Sequence, residues 1–296
     1  MINKYAFIVN PNAGGGKGKK LGKDLESQLK HRAINGELFY SKYIGNSIEI
    51  ARNLSSEFTH VIAVGGDGTI NEVVNGIYDR NVIFGIIPSG TGNDFLKMVG
   101  MHTNVKEALE QLGKNIVKPV DLGFVKTENT SRYFINGLGT GFDAVAAAKA
   151  NKHKGMGILA YLYAVVTTLF TYKEPKVKFE IHGEEIDIPI FLANFGNGYS
   201  AGGMFHLSPG ALLDDGLFHI TFISGVRKRR VPFVITKVIK GIHTLEPEVQ
   251  TFTSDHGKIA SQVGLSIHTD GEIIDTNAKQ IEIKLLPLKM KVVFGG

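Results

Sequence analysis

Apolar positions in the first third of the chain alternate between two periods. Residues 5–10 (YAFIVN) form a continuous apolar run of strand length, whereas Leu21, Leu25 and Leu29 recur at four-residue spacing and put one apolar stripe on a helix that Gly36 stops. The same alternation then repeats: strand 38–43, helix 48–54, strand 60–64 ending in Gly65-Gly66, helix 69–78, and strand 82–87 closed by Pro88. Strands and helices in such regular succession predict a parallel sheet covered on both faces.

Past Asp121 the pattern changes. Residues 130–138, 176–182, 186–195, 217–223, 265–269 and 280–286 alternate or are β-branched, and Gly, Asn and Asp punctuate them. Helical spacing persists at 143–150, 155–172 and 231–243. The expected fold class is therefore α/β plus β: an N-terminal parallel-sheet α/β domain over 1–122 and an antiparallel β-sandwich domain over 123–289, with the last residues near 290–296 candidates to rejoin the first.

Composition narrows the class without naming a chemistry. With 43% hydrophobic and 21% charged residues, the chain reads as globular, not disordered or collagenous. The absence of cysteine excludes disulfides, thiolate zinc sites and thiol nucleophiles. Residues 155–172 carry no charge, but Tyr161, Tyr163, Thr167, Thr168 and Thr171 favour a buried or surface-lying helix over a membrane span. The start, MINKYAFIVNP, lacks the long apolar core and cleavage site of a secretory signal, so a cytoplasmic location is expected. A formal charge of +5 favours anionic partners and falls short of a nucleic-acid-binding signature.

Glycine, at 36 residues, concentrates in turns that follow strands. After the first strand comes NPNAGGGKGKK (10–20), in which Lys17 is followed by Gly18 and no hydroxyl follows Lys19, so the Walker A spacing fails. What remains is a backbone that can approach a phosphate, with Lys17, Lys19 and Lys20 nearby. The second turn, VGGDGTINE (64–72), has Gly65, Gly66, Asp67, Gly68 and Thr69. A helix cap accounts for Thr69 and a capping-box partner for Glu72, but leaves Asp67 and its glycines unexplained. The third, PSGTGNDF (88–95), offers Gly90, Thr91 and Asp94. Two acid-bearing glycine turns on neighbouring strands point to a Mg²⁺-nucleotide site, where glycines clear space for phosphate and the acids hold the ion or its waters.

Taken together, NPNAGGGK, GGDGTINEVVNG, PSGTGNDF and the late DGE at 270–272 resemble the diacylglycerol kinase catalytic family in its soluble bacterial form, in order over nearly the whole chain. GGDG is shared with NAD kinases and phosphofructokinases, whereas PSGTGNDF discriminates. The resemblance implies an ATP-binding α/β domain, a β-sandwich lipid-substrate domain and an active site in the cleft between them. It further implies Mg²⁺-dependent transfer from ATP to a lipid alcohol such as diacylglycerol, giving phosphatidic acid at the inner face of the membrane. Sphingoid bases, glycerophospholipids and a catalytically silent lipid-binding regulator are the alternatives. Sandwich edges offer a route to a homodimer.

The same resemblance assigns roles residue by residue. It links Asp67 and Asp94 through magnesium, puts the glycine turns with Thr69 and Thr91 on phosphates, and places Asn10 and Ser41 beside the nucleotide. Asp270 becomes the general base, with Glu272 assisting. Leu212, Asp215 and Leu217 match a structural magnesium loop, which the residues alone read equally well as a hairpin turn. Residues 194–204 (NFGNGYSAGGM) match a segment lining the cleft.

Overall fold

Two units divide the chain: Met1–Leu122 with Pro287–Gly296, and Gly123–Leu286. The structure, a computed structural model, describes residues 3–89, 93–151 and 158–295.

The first unit strings together β1 (Tyr5–Val9), α1 (Lys17–His31), β2 (Gly36–Tyr40), α2 (Asn46–Arg52), β3 (His60–Gly65), α3 (Asp67–Ile77), β4 (Ile83–Pro88), α4 (Asp94–Val99) and α5 (Val105–Lys114). Every residue of β1 and β3 is buried, as befits central strands of a sheet covered on both faces. All neighbours pair in parallel: Val9 stands opposite both Tyr40 and Val64, and Gly65 opposite Pro88, so the strands end level with one another. The order is β2-β1-β3-β4. Leu25 and Leu29 are the buried stripe of α1, while α3 is buried almost all round, from Thr69 to Ile77.

The chain leaves this unit within β5 (Val117–Thr127) and returns within β14 (Glu272–Val293). On return, Lys291 and Val292 pair in parallel with Ile83 and Phe84. Met290, Val292 and Val293 are buried.

The second unit contains β6 (Ser131–Phe134), β7 (Gly137–Gly141), α6 (Phe142–Asn151), α7 (Ile158–Thr171), β8 (Lys176–Ile181), β9 (Glu184–Pro189), β10 (Leu192–Gly196), β11 (Phe218–Ile223), α8 (Val231–Ile239), β12 (Val249–Ser254) and β13 (His256–Thr269). Its pairs are antiparallel, and a phenylalanine-rich core including Phe134, Phe179, Phe195, Phe218 and Phe222 fills the sandwich. The single strand expected at 186–195 is two. β9 pairs with β8, whereas β10 pairs with β7 and β11, so an unbroken apolar pattern changes neighbours at Ile190 and Phe191. The fourteen-residue β13 also changes partners, from β8 at 258–261 to β7 at 267–269, across register shifts between Ala260 and Ile267 that bend it.

Candidate active site

From β1 the chain moves outward to β2, then crosses back to build β3 and β4 on the other side, so the topological switch lies between β1 and β3. Turns leaving two such strands part toward opposite faces and open a crevice at the carboxyl edge. Here those turns are the glycine-rich segments after Val9 and after Gly65.

Side chains and backbone knit these turns to the one after β4. Asn10 donates from Nδ2 to Oγ1 of Thr69 at 3.1 Å, and its Oδ1 accepts the Asn12 N–H at 3.0 Å. Gly14, Gly15 and Gly16 hold φ of 62°, 70° and 93°, a left-handed run that side chains disfavour. A Cβ on Gly14 would stand 2.1 Å from the Ser89 carbonyl oxygen. Asp67 closes the set: Oδ2 accepts the Asn93 N–H at 3.1 Å and Oδ1 the Asp94 N–H at 3.2 Å. Gly65 is required beneath it, since a Cβ there would come within 2.3 Å of Thr69 Oγ1.

The helix starts at Asp67, with Gly66 as its N-cap and no side-chain cap, so Thr69 sits inside the first turn of α3 and Gly68 just before it. Glu72 forms no capping box. Its carboxylate instead accepts the N–H groups of Gly45 at 2.7 Å and Ser47 at 3.2 Å, at the start of α2. Ser41 is buried just beyond β2, where its N–H donates to the Val9 carbonyl at 2.9 Å. Gly90 and Thr91 lie outside the described residues.

The N-termini of α1 and α3 face this edge, and their N–H groups and dipoles favour an anion there. Lys17, Lys19 and Lys20 are exposed at the start of α1. Ser89 was not singled out from sequence, yet its buried hydroxyl has no hydrogen-bond partner among the described residues and sits beside the Gly14 contact. A donor group there suits a phosphate oxygen. Asp67 and buried Asp94 are joined through the Asp94 N–H, which brings two acidic residues to one junction, and carboxylates suit a hard divalent cation.

In the second unit, Asp270 and Gly271 hold φ of 49° and 84° and make a two-residue hairpin between paired Thr269 and Glu272. Both Asp270 oxygens are engaged. They accept the N–H groups of Ile135 at 3.1 Å, Asn136 at 2.9 Å and Gly137 at 3.0 Å, and the Asp270 N–H donates to the Gly137 carbonyl at 2.8 Å. Asn136 extends the knot by donating from Nδ2 to the Ser200 carbonyl at 2.8 Å, and Asn197 donates to the Ile135 carbonyl at 2.7 Å. The 194–204 segment therefore supports the Asp270 turn. Glu272 is exposed.

An ion pair beside this turn escaped the sequence reading. His268 Nε2 lies 2.9 Å from Asp143 Oδ2, with side chains 13% and 24% exposed. Burial opposes charge on the ring, but Asp143, aided by Asp270, outweighs it and raises the His268 pKa. Gly139 makes room, because a Cβ there would come within 2.2 Å of His268 Nε2. His268 and Asp143 are 125 residues apart, so no local spacing announces the pair.

The loop with Leu212, Asp215 and Leu217 is closed by its own bonds. Asp215 Oδ1 accepts the Leu217 N–H at 3.1 Å, and Oδ2 lies 3.2 Å from His219 Nε2. Leu212 and Leu217 are exposed.

Residues 4–125 match the family described as Diacylglycerol kinase catalytic domain, and residues 136–294 match the YegS C-terminal NAD kinase beta sandwich-like domain. A diacylglycerol kinase of Staphylococcus saprophyticus is 28% identical over 277 residues, covering 92% of this chain and 90% of the relative. One from Mycobacterium tuberculosis is 27% identical over 301 residues, covering 99% and 95%. Among solved structures, a diacylglycerol kinase from Bacillus anthracis str. Sterne superposes with a TM-score of 0.78 at 26% identity, over 99% of this chain and 97% of that one.

Proposed function

The chain belongs to the diacylglycerol kinase family, and from that premise we propose that it uses ATP and Mg²⁺ to phosphorylate the hydroxyl of diacylglycerol, giving phosphatidic acid. The observation that carries the reading is the junction of three turns around Asp67, which joins Asn93 and Asp94 to a helix start beside the Gly14–Ser89 contact.

In this reading the first unit holds the nucleotide. Backbone N–H groups of the 14–16 and 66–69 turns meet phosphate oxygens, Thr69 is oriented by Asn10, and Lys17 adds charge. Asp67 and Asp94 would hold the metal, which would supply neutralisation of charge on the transferring phosphoryl group. The second unit supplies the proton acceptor. Asp270, whose hairpin is fixed by three backbone N–H groups, takes the proton from the lipid hydroxyl, and exposed Glu272 assists. No step is assigned to a metal at Asp215. The protein then works as a peripheral enzyme at the inner face of the membrane, where its acceptor resides.

Labelled ATP, Mg²⁺ and mixed micelles of diacylglycerol test the reading directly. Phosphatidic acid is expected, and Asp67→Ala is expected to lower turnover by about 10²-fold or more, since it removes both a metal ligand and the link between turns. Undiminished turnover in that variant sinks the assignment. A panel containing a sphingoid base and a glycerophospholipid ranks the acceptors by product mass.

A further inference from the structure

On the second unit, α7 inverts the rule for a surface helix, whose outward stripe is normally polar. Ala164 and Thr168 point inward, while Tyr163, Val166 and Phe170 are 52%, 52% and 69% exposed at spacings of three and four. No charged residue occurs in the whole of Ile158–Thr171. α8 behaves alike: Val231, Val234 and Val238 enter a core cluster that Leu169 of α7 also packs against, leaving Phe233 and Ile239 outward. Both helices thus cover one cluster and turn apolar side chains away from it.

Cations outnumber acids around this face. Residues 227–245 contain six Lys or Arg and no Asp or Glu, and Lys173 follows α7. Lys228 Nζ donates to the Phe170 carbonyl at 2.6 Å, which brings the basic run against the end of α7. Arg230 and Lys237 lie over the Phe233 ring at 5.2 and 4.7 Å. Of the carboxylates close by, Glu174 accepts the N–H groups of Gly225 and Val226, Glu246 pairs with Arg230 and Lys237, and Glu248 pairs with Arg230, so the cationic excess rests on Lys173, Arg227, Lys228, Arg229 and Lys240. Contiguous apolar area of this sort marks a docking surface.

We propose that the α7–α8 face seats the protein on an anionic bilayer, with Val166, Phe170 and Phe233 entering the headgroup boundary and the surrounding Lys and Arg meeting lipid phosphates. Among the described residues no helix is long and apolar enough to cross a membrane, so this contact lies along the surface. A second copy of the chain suits the face less well, because a two-fold contact would set one cationic rim against another. The proposal deepens the lipid-kinase reading by naming how its substrate surface is reached.

Co-sedimentation of the full chain with vesicles, in the absence of nucleotide, tests it. Wild type is expected to pellet with mixed phosphatidylglycerol and phosphatidylcholine vesicles and to stay in solution with phosphatidylcholine alone. Val166→Ser with Phe170→Ser should weaken partitioning about tenfold or more. Arg229→Glu with Lys240→Glu, at exposed positions away from the apolar stripe, should do the same at low salt. Both double variants should keep turnover on a short-chain diacylglycerol dispersed as monomers. Wild-type binding in either double variant, equal binding to neutral vesicles, or a dimer in solution that the serine variant dissociates would overturn the proposal. Vesicle binding as expected, with no turnover of the monomeric acceptor by wild type, would leave the docking face standing and remove the kinase reading.

Discussion

Asp67 illustrates how one side chain organises several backbone segments. Its carboxylate sits at the first residue of α3, where the helix dipole favours negative charge, and it also takes two N–H groups from Asn93 and Asp94. The geometry depends on residues that lack side chains, since a Cβ at Gly65 or Gly14 would strike Thr69 or the Ser89 carbonyl. His268 in the second unit takes the opposite charge when protonated, which gives its ion pair a pH dependence. Its ring is buried at a cost, yet Asp143 raises its folded pKa above the ordinary 6.5. A group whose pKa rises on folding contributes stability that is fully present below the unfolded value and fades as pH climbs through the folded one. Urea unfolding of His268→Gln against wild type should therefore show a larger loss of stability near pH 5.5 than near pH 9. A loss that is flat with pH, or that grows toward alkali, would mean that the pair with Asp143 holds no such charge.

At the scale of elements, β1, β3 and β4 were legible because each is a short apolar run with Gly or Pro at or just past its end, whereas half-exposed β2 runs from Gly36 to Tyr40, two to three residues ahead of the strand expected at 38–43. Less was readable wherever a segment's identity depends on distant neighbours. β5 and the first half of β14 are rich in polar residues, and a sheet partner, not propensity, makes them strands. α5 did have local signals that went unread: the Asn104 side chain caps it by accepting from Lys106 and Glu107, and Val105, Ala108, Leu109 and Leu112 form its buried stripe. Three of the site's turns could be named from glycine and acid spacing, whereas the grip of residues 135–137 on Asp270 could not, because it spans more than 130 residues. Glu72 belongs to the same class of surprises. Sequence pairs it with Thr69, but folding places it across the start of α2, where it binds Gly45 and Ser47. Glu72→Ala should then cost about 1–2 kcal/mol by removing a charged cap shared between two helices. Amide exchange should quicken first at Gly45 and Ser47, and protection that survives there while α3 frays would assign Glu72 to α3 instead.

For the molecule as a whole, the division of the chain is discontinuous: a unit begun by residues 1–122 is completed by 287–296. Those last residues are more than an appendage. Met290, Val292 and Val293 are buried, Val292 pairs with Phe84 of β4, and the Leu288 N–H donates to the fully buried Asp121 carboxylate at 2.7 Å. Phe294 and Gly295 add backbone bonds to Ile116 and Val99, and Gln111 Nε2 donates to the Gly295 carbonyl at 2.9 Å. Removing the segment would uncover the β4 edge and take an N–H donor from a buried carboxylate, each a cost that a domain of marginal stability cannot absorb lightly. The second unit has its own antiparallel core, fed by Phe179, Phe195, Phe218 and Phe222. A chain ending at Leu286 should therefore melt in two steps, with the first unit's transition lowered by several degrees and the second's unchanged. Nucleotide binding should fail with the first step, and adding ATP and Mg²⁺ should raise that step alone in the full chain. A single cooperative transition, shifted as one, would show instead that the two units share their stability and that the return of 287–296 serves both.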